Sequence, residues 1–538
     1  MDPVIVVGAG PVGLALALAL GGQGVPSVVL DDGPGKDESR PARTVVLHAD
    51  TAAMAARLGC ATLRDEGSRW TAWRTARRRQ EPVRIPFDPW GSTTAGAEGG
   101  PAPLHVPQHA LARGLRDAAH AHPLVRLVPE SRLDALEQDD HGVTAHTRGA
   151  ETTWWRGSYL VGCDGARSTV RKLLGIRFPG RTAVERYAVA ALRTELPWPD
   201  EALLHRDPPE EVTARPLPDG VWRLDWLLPP RGDLVTPDVL VSRVRDTLAR
   251  WCGGSTPAYE LIDTGVHTLH HRLARRWRVD RAFLAGDAAH LLGALGTQGV
   301  EEGLRDAENL AWKLAQAWHQ GASRTLLDSY QAERRTDVAA RLRAADQAMP
   351  ALRSSGGLRV LVPGSGKAHA ALLTDAHLGR GPLGAAPAYG RSVLAPAPSE
   401  GASPTATEPG ALAADVPVTA PDGTTVPLRD RLGGGRLLVV LVAPGTGVWD
   451  RRHWLQAGLM PRLAAAVSAL PARAELLVAD AYPGAAAHTV LLVRPDGHLA
   501  AAFAGVRPAE LYEAADAVRG GAPEGVRATV ASEAGAAE

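Results

Sequence analysis

The chain has few cysteines, no surplus of either charge and no uninterrupted apolar run long enough to cross a bilayer. Each shortage removes a class of answers. The three cysteines, Cys60, Cys163 and Cys252, are odd in number, far apart and without metal-ligand spacing. They argue against a disulfide framework and against a zinc site, so the expected location is a reducing cytoplasm and no metal is expected. Basic residues number 59 and acidic residues 59. With that balance and no long run of one sign, nucleic acid and anionic membranes are poor candidates as partners. The apolar start, MDPVIVVGAGPVGLALALALGG, lacks a basic leader and is broken by Gly8, Gly10, Pro11 and Gly13. It reads as a buried soluble segment, neither signal peptide nor membrane span. What the chain does have is core material: 45% of its 538 residues are hydrophobic, and at roughly 150 residues per domain the length allows about three or four domains.

The start also carries the first motif. VIVV (4–7) is a short β-branched run, GAGPVG follows, and LALALALGG is apolar on all sides, the mark of a buried helix. In a strand, turn and helix of this order, G-x-G-x-x-G has a mechanism. Gly8 makes the tight turn, Gly10 lets a pyrophosphate approach the backbone, and Gly13 lets helix and strand pack, while the helix that begins around Pro11 points its N-terminus at the phosphates. The next strand, SVVL, ends at Asp31, 18 positions after Gly13, where an acid can bond an adenosine ribose hydroxyl. A coincidental loop is the alternative, and the glycines alone do not separate NAD from FAD.

The theme recurs twice. SYLVGCDGARSTVRKLLGI (158–176) ends an apolar strand at Asp164 and Gly165, before a basic segment with Arg167 and Arg171; RAFLAGDAAH (281–290) does so at Gly286 and Asp287. An NAD dehydrogenase needs one such site, so three strand ends converging on one ligand point to a long cofactor lying across the carboxyl edge of the sheet. Asp287 can accept hydrogen bonds from a polyol such as a ribityl chain, and Gly296 and Gly299 would let a flat ring rest against the backbone. Leu304, Ala307, Ala311, Leu314 and Trp318 predict a helix that starts beside the ring near Val300, its positive end favouring negative charge on a reduced flavin. The alternative makes Asp287 a helix cap and the glycines an ordinary loop.

Together, GAGPVG, Asp31, the DG motif in CDGARS, the GD motif in AGDAAH and the helix GLRDAENLAWKLA resemble the class A flavin-dependent monooxygenases of the p-hydroxybenzoate hydroxylase fold, up to about residue 350. The resemblance implies FAD bound by all of these motifs, with Arg43 in SRPARTVVL and Gln108 in LHVPQHAL in contact with it. The competing readings are a surface salt bridge for Arg43 and a polar cap on the following helix for Gln108. Arg223 in VWRLDW matches a strand position from which family members steer flavin and substrate, and is the candidate catalytic residue; pairing with a surface acid is its alternative. Trp222, Asp225 and Trp226 alternate around it, one set toward the pocket and the other outward. His48 and His290 are expected to play structural parts near the flavin. Three positions depart from the family pattern: Asp32 where a basic residue is frequent, Gly293 and Ala294 in place of a Pro-Pro pair, and Glu301 in place of an Asn beside the ring.

The expected fold class is α/β: a Rossmann-like FAD-binding domain (1–75, 102–178 and 268–350) with an inserted mixed β-sheet substrate domain (76–101 and 179–267). YAVAALRTEL, EVTARPL and VWRLDWLLP read as strands of an antiparallel sheet over the flavin. The glycine-rich WGSTTAGAEGGPAP (90–103) reads as a mobile flap. Residues 351–410 read as a helix and a Pro/Ala/Gly linker. Residues 411–525 alternate strands and helices and resemble a thioredoxin-like domain, without thiol chemistry because no cysteine follows Cys252; 526–538 read as a tail. A homodimer is possible on the sequence.

The resemblance implies an NAD(P)H-consuming hydroxylase of a phenolic or polyketide/quinone aromatic, transferring oxygen from O2 through a flavin hydroperoxide. The reductant, NADPH or NADH, has no glycine motif of its own and is expected to bind transiently across the face that includes Arg43 and the DG segment. A Baeyer-Villiger oxygenase on the same scaffold and a non-catalytic flavin-binding protein are the alternatives at this stage. Halogenation is disfavoured because VWRLDWLLP lacks W-x-W-x-I-P.

Overall fold

A computed structural model describes residues 1–35, 39–77, 81–88, 99–149, 153–207, 210–228, 236–292, 298–321, 323–353, 365–445 and 458–521. Most of the expected flap, the expected tail, and Gly293, Ala294 and Gly296 lie outside the described residues.

Strand Val4–Val7 is buried at every position, as a β-branched strand is when neighbours flank it and helices cover both faces. It lies at the centre of a six-stranded sheet. Ser27–Leu30 pairs with it on one side and Tyr159–Gly162 on the other; Val125–Val128 lies beyond the first, Ala282–Leu284 beyond the second, all parallel. Val7 sits opposite both Leu30 and Gly162, and Gly162 opposite Leu284, so four strands finish together at one edge. Helix Pro11–Gly22 is buried from Gly13 to Gly21 and packs on the long helix Gln298–Gln320. The packing depends on two glycines: Gly8 has φ +105°, and a Cβ on Gly13 would stand 2.0 Å from the Gly8 carbonyl oxygen.

The second sheet has eight strands, in the order His290–Leu292, Tyr259–Leu273, Gly180–Thr194, Val221–Leu228, Glu210–Pro216, Glu201–Asp207, Ala72–Ala76 and Val83–Pro86. All pairs are antiparallel except Glu201–Asp207 with Ala72–Ala76. The sheet is wider than the expected 76–101 and 179–267. Tyr259–Leu273 is a fifteen-residue strand that runs past that boundary, and the edge strand His290–Leu292 and most of Ala72–Ala76, second from the other edge, come from residues assigned to the FAD domain. Trp222 and Trp226 correct the expectation of an outward set. They are buried beneath helix Pro237–Trp251, where the Trp226 indole donates to Thr247 Oγ1 at 3.0 Å, and Asp225 shares the face of Arg223.

In the C-terminal unit, Leu437–Val442 pairs in parallel with Ala474–Ala479 and antiparallel with Thr489–Val493, and Leu499–Ala504 lies beyond. Apolar clusters cover both faces. Residues 381–410, expected as a linker, are instead packed down. Tyr389 is buried, its amide donates to Gly410 O at 2.7 Å, Gly410 N to Leu499 O at 2.7 Å and Ser403 N to Ala502 O at 2.9 Å. The partners lie up to a hundred residues away, which composition does not reveal. A buried ionic cluster joins this unit to the long helix: Glu333 accepts from Lys313 Nζ at 2.7 Å and from Arg494 at 2.7 and 3.0 Å, while Arg494 and the Trp312 indole also donate to Asp496. Mutual pairing offsets the cost of taking these charges out of water.

Candidate cofactor and substrate site

The common edge of the parallel sheet gathers most of the predicted site. Gly8, Gly10 and Pro11 follow Val7, and Asp31 follows Leu30. One Asp31 oxygen accepts the Ala9 amide at 2.6 Å, the other the Gly33 amide at 2.8 Å, so the carboxylate shapes the glycine turn itself. Gly10 caps the helix and has no atom within 4 Å of where a Cβ would stand. Gly165, at φ +74°, has the same open space. Asp164 accepts the amides of Thr169 and Val170 at 2.6 and 3.0 Å through Oδ2, while its Oδ1 is buried without a partner among the described residues.

The third strand end is built around a residue that motif reading passed over. Gly286 donates its amide to Asp306 Oδ2 at 2.9 Å; Asp306 also holds His290 Nε2 and Arg334 Nε, each at 2.8 Å. His290 stacks on Trp277 at 5.3 Å and is fully buried. Arg171 reaches across from the DG segment to the carbonyl of Ala288 at 2.8 Å. Asp287 itself is left exposed to the space at this edge but walled in by protein, and that desolvation raises its pKa above the ordinary carboxylate value. Gly299 and Val300 open the helix Gln298–Gln320 next to it: a Cβ on Gly299 would stand 3.3 Å from Asp287 Oδ1.

These features fit a dinucleotide. A helix N-terminus faces the glycine turn, two positions leave the backbone bare, and the carboxylates of Asp164 and Asp287 retain acceptor capacity for hydroxyl groups. Arg43 is exposed and has no ion-pair partner among the described residues, so the salt-bridge alternative finds no support; its carbonyl accepts the Gln108 amide at 2.9 Å. Gln108 is the first residue of helix Gln108–Ala121, and the N-cap before it, Pro107, makes no side-chain capping bond. Glu301, expected beside a ring, is buried with its carboxylate engaged. It accepts from His48 N at 2.8 Å, His48 Nδ1 at 2.9 Å and Thr51 Oγ1 at 2.8 Å, fastening the long helix to helix Ala49–Arg57.

Above this edge, the eight-stranded sheet carries a mostly apolar cavity of about 40 Å³ lined by Trp73, Tyr187, Arg215, Arg223, Asp225 and His377, among others. Arg223 pairs with a buried acid, not a surface one. Its Nη2 donates to Asp225 Oδ1 at 2.7 Å and its Nη1 to Thr44 Oγ1 at 2.9 Å. Thr44 in turn meets His105 Nε2 at 2.7 Å, and His105 Nδ1 meets the Pro216 carbonyl at 2.8 Å. Burial and the Arg215 charge hold His105 well below the usual imidazole value, so it serves as a neutral link in this chain. Asp225 also pairs with Arg215 from the neighbouring strand. Burial alone would raise the Asp225 carboxyl, but the two guanidinium groups outweigh it and hold it well below its ordinary range.

His377 ends helix Ser365–His377, stacked on Trp73 at 4.3 Å. Burial, then the Arg215 charge, lower its pKa to about 3. The unfolded chain therefore takes up a proton at this site first as pH falls below 6.5, and stability contributed above that value is lost as pH approaches 3, at about 1.4 kcal/mol per unit. Between pH 6.5 and 5 the full chain is expected to lose about 2 kcal/mol more than His377→Phe does; equal losses in urea titrations at the two pH values would contradict this assignment.

The comparisons with known proteins agree with this geometry. The sequence model of the FAD binding domain family matches residues 1–345. The chain is 32% identical over 351 residues to 3-(3-hydroxy-phenyl)propionate/3-hydroxycinnamic acid hydroxylase of Paraburkholderia xenovorans, covering 62% of this chain and 52% of that protein. It is 35% identical over 351 residues to rifampicin monooxygenase of Streptomyces venezuelae, covering 62% and 68%. The chain thus spans about half the length of the first of these relatives. Among solved structures, the anhydrotetracycline hydroxylase OxyS of Streptomyces rimosus superposes with TM-score 0.67 at 27% identity over 96% of this chain and 99% of that one. The rebeccamycin biosynthetic enzyme RebC does so with TM-score 0.69 at 26% identity over 97% and 99%. The match over residues 1–345 takes in the whole parallel sheet and the sheet above it, and the chain belongs to the FAD binding domain family.

Proposed function

We propose that this chain is an NAD(P)H-consuming, FAD-dependent monooxygenase that hydroxylates an aromatic substrate in the cavity of the eight-stranded sheet. The observation that carries the reading is the direct link between that cavity and the nucleotide edge. Arg223, on the cavity wall, is bonded to Thr44; the same segment continues to His48, fixed by Glu301 at the start of the helix that opens beside Asp287. FAD, when bound, supplies electron storage and oxygen activation. The protein's part is position and dryness: Trp73, Leu204, Leu269 and Leu373 make an apolar wall, and the Arg223–Asp225 pair presents fixed charge without a proton to lose at neutral pH. The exposed guanidinium of Arg43, with no ion-pair partner among the described residues, suits the phosphates of a transient nicotinamide nucleotide.

The test is direct. Purified full chain is expected to be yellow, NADPH or NADH to bleach it without oxygen, faster when an aromatic substrate is present, and the product to carry one atom from 18O2. A ring-expanded lactone would replace hydroxylation by Baeyer-Villiger oxidation; flavin that neither nucleotide reduces, with a panel of phenols and hydroxyquinones present, would overturn the enzyme.

A further inference from the structure

Arg215 has a buried side chain with much of its hydrogen-bonding capacity unspent. It is 2% exposed; one Nη donates to Asp225, while Nε and Nη1 have no partner among the described residues. It lines the same cavity as Arg223 and Asp225. Two guanidinium groups thus share one carboxylate. The remaining charged groups do not correct the imbalance. Glu211, also on the wall, is matched by Arg206 at 3.3 Å, and His105 and His377 are neutral, each with Nδ1 against a backbone carbonyl. His267, half-buried, is lowered by burial and by Arg223; Asp263 accepts the Ala42 amide outside the cavity. Among the described residues one positive charge is left over beside an apolar wall, and the unspent donors, Nε–H and the Nη1 amino group, lie on different edges of the guanidinium plane. Opposite in character is His377. Because Nδ1 lies 2.8 Å from the Leu373 carbonyl it must carry the proton, and Nε2, buried without a partner among the described residues, offers a lone pair.

Resting on the proposed function and narrowing its substrate, we propose that the cavity selects an aromatic bearing an anionic oxygen, received by the Nη1 amino group of Arg215, together with a protonated hydroxyl that donates to Nε2 of His377. An ionised ring oxygen and a carboxylate share this chemistry, and two probe pairs separate them. The first is 2-hydroxy-1,4-naphthoquinone, ionised at neutral pH, against its 2-methoxy ether; the second is 6-hydroxy-2-naphthoate against 6-hydroxy-2-naphthamide, with 2-naphthoate to isolate the hydroxyl.

Binding is measured by calorimetry on the FAD-loaded full chain without nicotinamide, so a failure of turnover does not affect the reading. The anionic member of at least one pair is expected to bind about tenfold to a hundredfold tighter, and the pair that shows this identifies the source. Arg215→Gln is expected to erase that preference while leaving the neutral probes unchanged, and Arg215→Lys to restore part of it. Because Arg223 still pairs with Asp225 in Arg215→Gln, its melting temperature is expected to be unchanged or higher, which a purely structural arginine would not allow. His377→Phe is expected to remove the advantage of 6-hydroxy-2-naphthoate over 2-naphthoate. Equal affinity within both pairs, or an anion preference that survives Arg215→Gln, overturns the Arg215 site; a hydroxyl advantage that survives His377→Phe overturns the His377 half.

Discussion

Asp225→Asn is expected to destabilise the protein by about 3–5 kcal/mol, the cost of removing one partner from a buried ion pair and leaving the other unmatched. Here the effect falls on two partners. Arg215 and Arg223 are 2% and 3% exposed and both rely on this carboxylate, and the amide that replaces it is isosteric but uncharged. Burial leaves little room for water to take over. Denaturant titration of the full chain measures the loss. Adding Arg215→Gln to Asp225→Asn is expected to recover part of it, because one unmatched cation is then removed; neighbours that share a partner couple in this non-additive way. A loss of less than about 1 kcal/mol would show that the cavity does not depend on a shared counter-ion. The same substitution is expected to abolish any steering by Arg223, whose guanidinium is held by Asp225 and Thr44 among the described residues.

The second large effect separates cofactor binding from folding at neighbouring glycines. Gly10→Val places a side chain where the protein itself has nothing within 4 Å, so the fold is expected to lose only about 1 kcal/mol, from a poorer helix cap. The branch stands where a pyrophosphate must approach the backbone, and FAD affinity is expected to fall about a hundredfold or more. Gly13→Val behaves differently. Its Cβ would meet the Gly8 carbonyl oxygen at 2.0 Å, a backbone atom that cannot swing aside, and the variant is expected to yield no soluble folded chain. Flavin absorbance and far-ultraviolet circular dichroism on the two variants check both statements. Gly10→Val that keeps its full complement of FAD would remove the glycine turn from the cofactor site.

The nucleotide edge was legible because its constraints are local. A positive φ at Gly8, a bare backbone at Gly10, a β-branched strand before them and a buried helix after them all fall within about twenty consecutive residues, and the pattern repeats at Asp164 and Asp287. Legibility declined where a residue's role depends on a partner elsewhere. Glu301 was placed beside a ring from its position in a motif, yet His48 and Thr51, some 250 residues earlier, claim its oxygens. Asp306 lies in the helix GLRDAENLAWKLA, whose spacing assigns it no role, yet it anchors Gly286, His290 and Arg334. Arg215 had one signal available: a charged residue on the inward face of EVTARPL, in register with Arg223 on the next strand. The segment 381–410 carried none, since proline and alanine content describes how a chain behaves alone, and its backbone groups are satisfied by strands a hundred residues away.

By itself, then, the order of residues determined that three strand ends would carry matching acid-and-glycine turns at one sheet edge, because turn geometry and helix initiation are set by neighbours in the chain. The tertiary structure decided what lies above that edge. Which of two arginines keeps free donors, and which way a histidine from residue 377 presents its lone pair, follow from strand register and from a helix arriving over Trp73. Such contacts are chosen by packing and charge balance across the whole fold, and no contiguous stretch of sequence records them.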